Sequence, residues 1–216
     1  MTIETRMDDR RAADLCVVEE VIRRDCYRVE KLKDLISPAV IVDIGGHIGC
    51  FGTKAREVWP GAKMVAYEPN IESAILYQAN NPSADVRNAA VSYDKGKTLL
   101  AEDVTATGGG ILTDLAGIAA LPGTRAVSNE NVELVTLEDV LREHGIDNID
   151  LLKLDCEGSE IGIIEQMLPE TAAKVGFIVG EYHYRNGGYA GFEKLLKSRF
   201  PTFDVIPLNK PGNFIG

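Results

Sequence analysis

Residues 40–52 read VIVDIGGHIGCFG, a β-branched apolar run that ends on an acid and is followed by three glycines within five positions. An apolar run without polar alternation is a strand covered on both faces, as the strands of a parallel sheet are. Gly45, Gly46 and Gly49 then predict a tight turn into a helix over residues 51–58. Such a turn presents backbone N–H groups at a helix start with no Cβ in the way. Two readings of the glycines stand together: close packing of the helix on the strand, and close approach of a ligand.

The same kind of unit recurs along the chain. KMVAYEPN (63–70), DVRNAAVS (85–92), IDLLKLDCEG (149–158) and VGFIVGEYH (175–183) read as further strands. Helical stretches lie among them at 71–81, with Ile71, Ile75 and Leu76 as its apolar positions, and at 137–144, 160–168 and 190–198. Thr136 and Asp139 resemble a capping box opening the second of these. This alternation predicts an α/β fold whose parallel strands are joined by right-handed crossovers. FDVIPL and NFIG near the end read as an antiparallel pair closing the sheet.

Upstream, Leu15, Val18, Val21 and Ile22 follow helical spacing over 12–24, and a short helix over 29–35 is stopped by Ser37-Pro38. The organisation expected is an N-terminal helical extension over 1–37 and a single domain over 38–216. KTLLAEDV reads as an edge strand, and the small-residue stretch 104–131 as either a surface excursion or a wall of a substrate site.

A net charge of −10 opposes the phosphate neutralisation that nucleic-acid binding needs. No stretch approaches the roughly 18 consecutive apolar residues of a membrane span. The four cysteines are scattered without CxxC spacing and the first residues carry no apolar signal core. Reduced thiols and a cytoplasmic location are therefore expected.

In an open parallel sheet, ligands bind beyond the carboxyl ends of the strands. That edge carries Asp43 with the glycine turn, Glu68, Asn88, Asp155 with Glu157, and Glu181 with His183. A dinucleotide turn needs GxGxxG, but here His47 and Cys50 stand at the second and third glycine positions and obstruct a pyrophosphate. What fits is acid-x-Gly-x-x-x-Gly from Asp43 to Gly49, with a second acid at Glu68. An ionised carboxylate at the end of the second strand can accept from two ribose hydroxyls. An acid at the first strand end suits an amine-bearing ligand. A nucleoside with an amino-acid tail, S-adenosylmethionine, meets both demands.

Taken in order, VDIGGHIG, AYEPN, NAAVS, VTLEDVL, IDLLKLDCEGSE and IVGEYH resemble the successive signatures of the FkbM-type methyltransferases, over residues 40–183. The resemblance implies a Rossmann-like class I methyltransferase fold: a seven-stranded, mostly parallel sheet with helices on both faces, and S-adenosylmethionine as cofactor. It implies that the loop of Asp43, Gly45, Gly46, His47 and Gly49 holds the methionine part. Glu68 would bind the ribose, Pro69 and Asn70 would shape the adenine pocket, and Asn88 and Ala89 would lie along the adenine edge. Asp155 would sit beside the cofactor amine and the methyl path, with Glu157 next to it. Cys156 departs from the aliphatic residue more usual there, and His47 is not read as catalytic.

Methyl transfer is an in-line displacement in which positioning supplies much of the rate, and a hydroxyl nucleophile gains from a base. His183 and Asp155 are the catalytic candidates. Asp155, Glu157, Glu181 and His183 could also surround a hard cation, but binding the cofactor amine and substrate accounts for them, and no metal is assigned. The acceptor expected is a hydroxyl on a small molecule such as a sugar, lipid or secondary metabolite. Two other functions stay open: a nicotinamide-dependent oxidoreductase, disfavoured by the failed GxGxxG, and a cofactor-binding module without chemistry.

Overall fold

The computed structural model describes residues 2–103, 110–113, 124–126, 132–183, 188–201, 206–207 and 213–215. Helix α1 (Arg11–Val17) runs on into a π-helical turn, Val18–Arg23, and α2 (Val29–Leu32) follows. The first half of the sheet is then laid down by β1 (Val40–Ile44), α3 (Cys50–Val58), β2 (Lys63–Tyr67), α4 (Ile71–Asn80) and β3 (Asp85–Arg87). Five further strands come next: β4 (Ala90–Val91), β5 (Gly96–Asp103), β6 (Gly110–Thr113), β7 (Thr124–Ala126) and β8 (Val132–Val135). The remainder is α5 (Leu137–Glu143), β9 (Ile149–Leu154), α6 (Glu160–Gln166), α7 (Pro169–Ala172), β10 (Val175–Glu181), α8 (Gly188–Arg199), β11 (Ile206–Pro207) and β12 (Asn213–Ile215).

The main sheet has the order β11-β12-β10-β9-β1-β2-β3. Its five central and right-hand strands, β10, β9, β1, β2 and β3, are parallel, while β12 runs antiparallel to both β10 and β11. The terminal segments thus pair as their sequence predicts. The strand order reverses between β1 and β9, which opens a crevice at their carboxyl ends.

Alternation along the strands sends Val42, Ile44, Leu152 and Leu154 to one face, under α5, α6 and α8. Ile41, Leu151 and Val179 go to the other, under α3 and Tyr77 of α4. Asp43 lies opposite Lys153 in the β1–β9 register, so two charged groups share the Ile41 face at the top of the sheet. The N-terminal segment belongs to this second core: Val21, Tyr27, Val29 and Leu32 pack with Ile41, Ile48 and Phe51.

Three expectations are corrected. DVRNAAVS is two strands, β3 on β2 and β4 on β8. The break comes where the Asn88 side chain donates to the carbonyls of Glu68 (3.0 Å) and Pro69 (2.9 Å), which turns the chain out of the main sheet. KTLLAEDV is not at an edge, because β5 is flanked by β8 and β6 in a second sheet, β4-β8-β5-β6, and also pairs with β7. On α4, Ile71 and Ile75 are 51% and 61% exposed, and the buried residues are Ser73, Ala74 and Tyr77. Small residues and a hydroxyl-bearing ring let α4 approach the glycine turn, which aliphatic side chains would prevent. His144 caps the C-terminal end of the helix Leu137–Glu143, and its ring is held between Asp85 (2.8 Å) and the Tyr67 hydroxyl (3.0 Å). Of residues 104–131, only β6 and β7 are described, so the reading of that stretch as a site wall lies outside the described residues.

The capping box is formed: the Thr136 hydroxyl accepts from the Asp139 N–H and the Asp139 carboxylate accepts from the Thr136 N–H (3.0 Å). Thr136→Ala is expected to cost about 1 kcal/mol. A thermal melt should then show a Tm lower by roughly 2–4 °C.

Candidate active site

What crowds the glycine turn is first the protein itself. A Cβ on Gly45 (φ +76°) would overlap the Asp155 carbonyl oxygen, and one on Gly46 would lie 2.6 Å from the Tyr77 ring. At Gly49 (φ +85°) a Cβ would strike the Asn81 amide. The N–H groups of Gly45 and Gly46 both donate to the Tyr67 carbonyl, at 3.0 and 3.1 Å. The glycines therefore let β1, β9 and α4 converge, and the packing reading is realised in these contacts.

Beneath the turn is a buried charge cluster. Asp43, 0% exposed, accepts from the Tyr77 hydroxyl at 2.9 Å and lies 3.2 Å from the Lys153 ammonium. Lys153, 3% exposed, also donates to the carbonyls of Ile44 and Gly45, and stands 3.9 Å from Asp155 Oδ2. Burial opposes charge on Lys153, but Asp43 and Asp155 outweigh it and hold the ammonium protonated above the ordinary lysine range. The Tyr27 hydroxyl donates to Asp155, and its ring sits edge-on to Phe51. Tyr27 is thus both a core aromatic and a partner of the site.

Glu68 ends β2. Its Oε1 accepts from the Asn70 N–H and its Oε2 from the His47 N–H, both at 2.8 Å. Burial pushes its pKa up to about 7, with the two backbone donors opposing the shift. Asn70 caps α4, its Oδ1 accepting from Glu72 N (3.0 Å) and Ser73 N (3.1 Å). Asn88 bonds the carbonyls on either side of Pro69's nitrogen, and Ala89 is buried behind it. His47, in a left-handed conformation (φ +48°), has its Nε2 2.9 Å from Arg6, which pairs with buried Asp14. Burial and the Arg6 charge lower its pKa to about 4, so the ring is neutral.

Across the turn, Glu160 is fully buried at the start of α6. Its Oε1 accepts from the Cys156 N–H (2.8 Å) and from His183 Nδ1 (3.0 Å), and its Oε2 from the Gly158 N–H (2.9 Å). His183 Nε2 faces Asp155 Oδ1 at 3.7 Å and Glu157 Oε2 at 3.5 Å. Burial works against the imidazolium, but Glu160, Asp155 and Glu157 raise its pKa to about 9. Burial also raises the Glu157 carboxyl and pushes the Cys156 thiol well above its ordinary value. Asp155, Glu181 and His183 each offer one atom within 4.8 Å of one another. Protein groups already answer Asp155 and His183, and no metal is assigned.

The residues singled out from the sequence thus meet at one rim, bridged by the His47–Glu68, Gly45–Asp155 and His183–Asp155 approaches. Lys153, Glu160, Arg6 and Asp14 were missed. The one signal available was a lysine inside an otherwise apolar strand, since lysine is almost never buried unless paired.

Strand order, the antiparallel strand inserted next to the last, and the acid-lined turn at the switch point define a class I methyltransferase fold. The chain belongs to the FkbM methyltransferase family, residues 43–204 matching the Methyltransferase FkbM domain. It is 25% identical to methyltransferase sdnD of Sordaria araneosa over 88% of this chain and 82% of that protein. It is likewise 25% identical to Methyltransferase 1 of Beauveria bassiana, over 84% of this chain and 78% of that protein. The crystal structure of Methyltransferase FkbM from Methylobacillus flagellatus KT superposes with a TM-score of 0.57 at 12% identity, over 83% of this chain. The chain spans only 43% of that structure's own length. Among the described residues no helix is long and apolar enough to cross a membrane.

Removing one member of a buried ion pair leaves the other uncompensated, at a cost of about 3–5 kcal/mol. Lys153→Met is expected to lose that much in urea unfolding, and the double variant Asp43→Asn/Lys153→Met to recover at least half of it.

Proposed function

We propose that this methyltransferase moves a methyl group from S-adenosylmethionine to a hydroxyl of a small molecule. The observation that carries this is the placement of Glu68 on one side of the glycine turn and the His183–Asp155 pair on the other. Each Glu68 oxygen accepts one backbone N–H and keeps a second acceptor site. That acceptor arrangement fits two ribose hydroxyls. Pro69, Asn70, Asn88 and Ala89, tied together beside it, would form the adenine wall, and the turn from Gly45 to Gly49 would take the methionine end. Asp43 acts at one remove, by holding Lys153 and Tyr77 under the turn. Asp155 and Glu157 would face the amine and the methyl path. FkbM family membership and the acidic overall charge support a small-molecule acceptor.

When bound, S-adenosylmethionine supplies a methyl carbon activated by a sulfonium. In the resting site His183 is an imidazolium. Loss of its Nε2 proton to solvent, which a positive charge nearby would favour, would leave that nitrogen able to take the acceptor's hydroxyl proton. Asp155 and Glu157 stabilise the imidazolium that re-forms.

A thermal-shift titration with S-adenosylmethionine, S-adenosylhomocysteine and NAD tests the cofactor. At ~100 times Kd the gain is roughly 2.7 kcal/mol, or about 5–10 °C for a chain of this size. Shifts are expected from both sulfur ligands and not from NAD; a shift from NAD alone would overturn the reading. Glu68 titrates near pH 7, and its ionised form is the better hydroxyl acceptor. S-adenosylhomocysteine should therefore bind more tightly at pH 8 than at pH 6 by calorimetry. Glu68→Gln should bind at least ~10-fold more weakly and show little of that pH dependence. With an acceptor found by screening hydroxyl compounds, His183→Ala should lose about 100-fold or more in turnover at nearly unchanged cofactor affinity. Near-normal turnover would remove His183 as the base.

A further inference from the structure

We infer that Glu160 is a positioning residue: by accepting from His183 Nδ1 it fixes the ring so that Nε2 is the nitrogen presented to Asp155, Glu157 and the reaction space. This rests on the reading of His183 as the proton acceptor. Glu160, the last residue of CEGSE, is fully buried and spends both oxygens on one turn and one ring. The Cys156 and Gly158 N–H groups belong to the turn that carries Asp155 and Glu157, and the third donor is His183 at the end of β10. One carboxylate therefore cross-links the turn after β9 to the imidazole on the neighbouring strand.

The chemistry follows from the donor inventory. An ionised carboxylate only accepts, so the nitrogen it bonds must carry the proton, and the neutral ring keeps its lone pair on Nε2. Without Glu160 a neutral imidazole beside Asp155 and Glu157 would put its proton on Nε2, toward those carboxylates. It would then have no lone pair facing the acceptor. The groups around the ring are Asp155 beyond β9, Glu157 in the turn, Glu160 on α6 and Glu181 on β10. The buried cation on this side, Lys153, lies beyond Asp155.

The test is the ring's protonation pattern, read by two-bond 1H–15N NMR on the full chain in EDTA without cofactor. His183→Ala supplies the assignment. In the wild type above its titration midpoint, His183 should show the proton on Nδ1 and a bare Nε2. In Glu160→Gln the midpoint should fall by about one pH unit or more and the proton should move partly to Nε2. Glu160→Asp, which keeps the charge, should retain more of the wild-type midpoint. Once an acceptor is in hand, Glu160→Gln should lower kcat at least tenfold, move the ascending limb of its pH profile to lower pH and leave the cofactor KM within a few-fold. A wild-type ring protonated on Nε2, or a midpoint and tautomer unchanged in Glu160→Gln, would overturn the inference. If Glu160→Gln does not fold, the wild-type tautomer alone decides it. Calorimetry with S-adenosylhomocysteine on the same wild-type sample is independent: no binding there defeats the cofactor reading and leaves the tautomer result standing.

Discussion

The site depends on one buried ammonium. Lys153 reaches from β9 between the carboxylates of Asp43 and Asp155 and against the carbonyls of Ile44 and Gly45. Two acids at adjacent strand ends would otherwise repel in a region of low dielectric, where an unpaired charge is costly. With Lys153 between them the glycine turn is pinned from below, and the carboxyl ends of β1 and β9 are held at the switch point. Tyr77 and Tyr27 complete the arrangement from α4 and from the N-terminal segment.

From that fixed base the rim divides into two halves with different electrostatics. On the β2 side, Glu68 is buried and held by backbone donors, and it titrates in the neutral range. On the β10 side, carboxylates surround one imidazole and raise its pKa to about 9. The rim is thus acidic on both sides, with the imidazole of His183 across the turn from the buried carboxyl of Glu68. The N-terminal residues take part in both: Arg6 and Asp14 reach His47 above the turn, and Tyr27 reaches Asp155.

Much of this was legible in the chain. Largely apolar strands, glycines at a strand end and polar groups at the strand ends are local patterns, and they placed Asp43, Glu68, Asp155 and His183 on one edge before any contact was known. The apolar face of α4 was misread because Ile71 and Ile75 are more hydrophobic than Ser73 and Ala74, yet the helix must come within reach of a glycine turn. Hydrophobicity carries no information about how close two backbones approach. DVRNAAVS was read as one strand because it contains neither glycine nor proline to mark a break, whereas the break is made by Asn88 bonding carbonyls some twenty residues earlier.

The amino-acid sequence by itself determined the alternating strands and helices, the glycine turn and the acids at the strand ends, because periodicity and turn chemistry act over a few residues. Only the tertiary structure decided which charges meet. Lys153 could be read as a partner of Asp43 only once the β1–β9 register set them side by side. Glu160 could be read as the partner of His183 only once α6 and β10 were packed together. Pairing across elements depends on register and packing direction, which no local pattern contains.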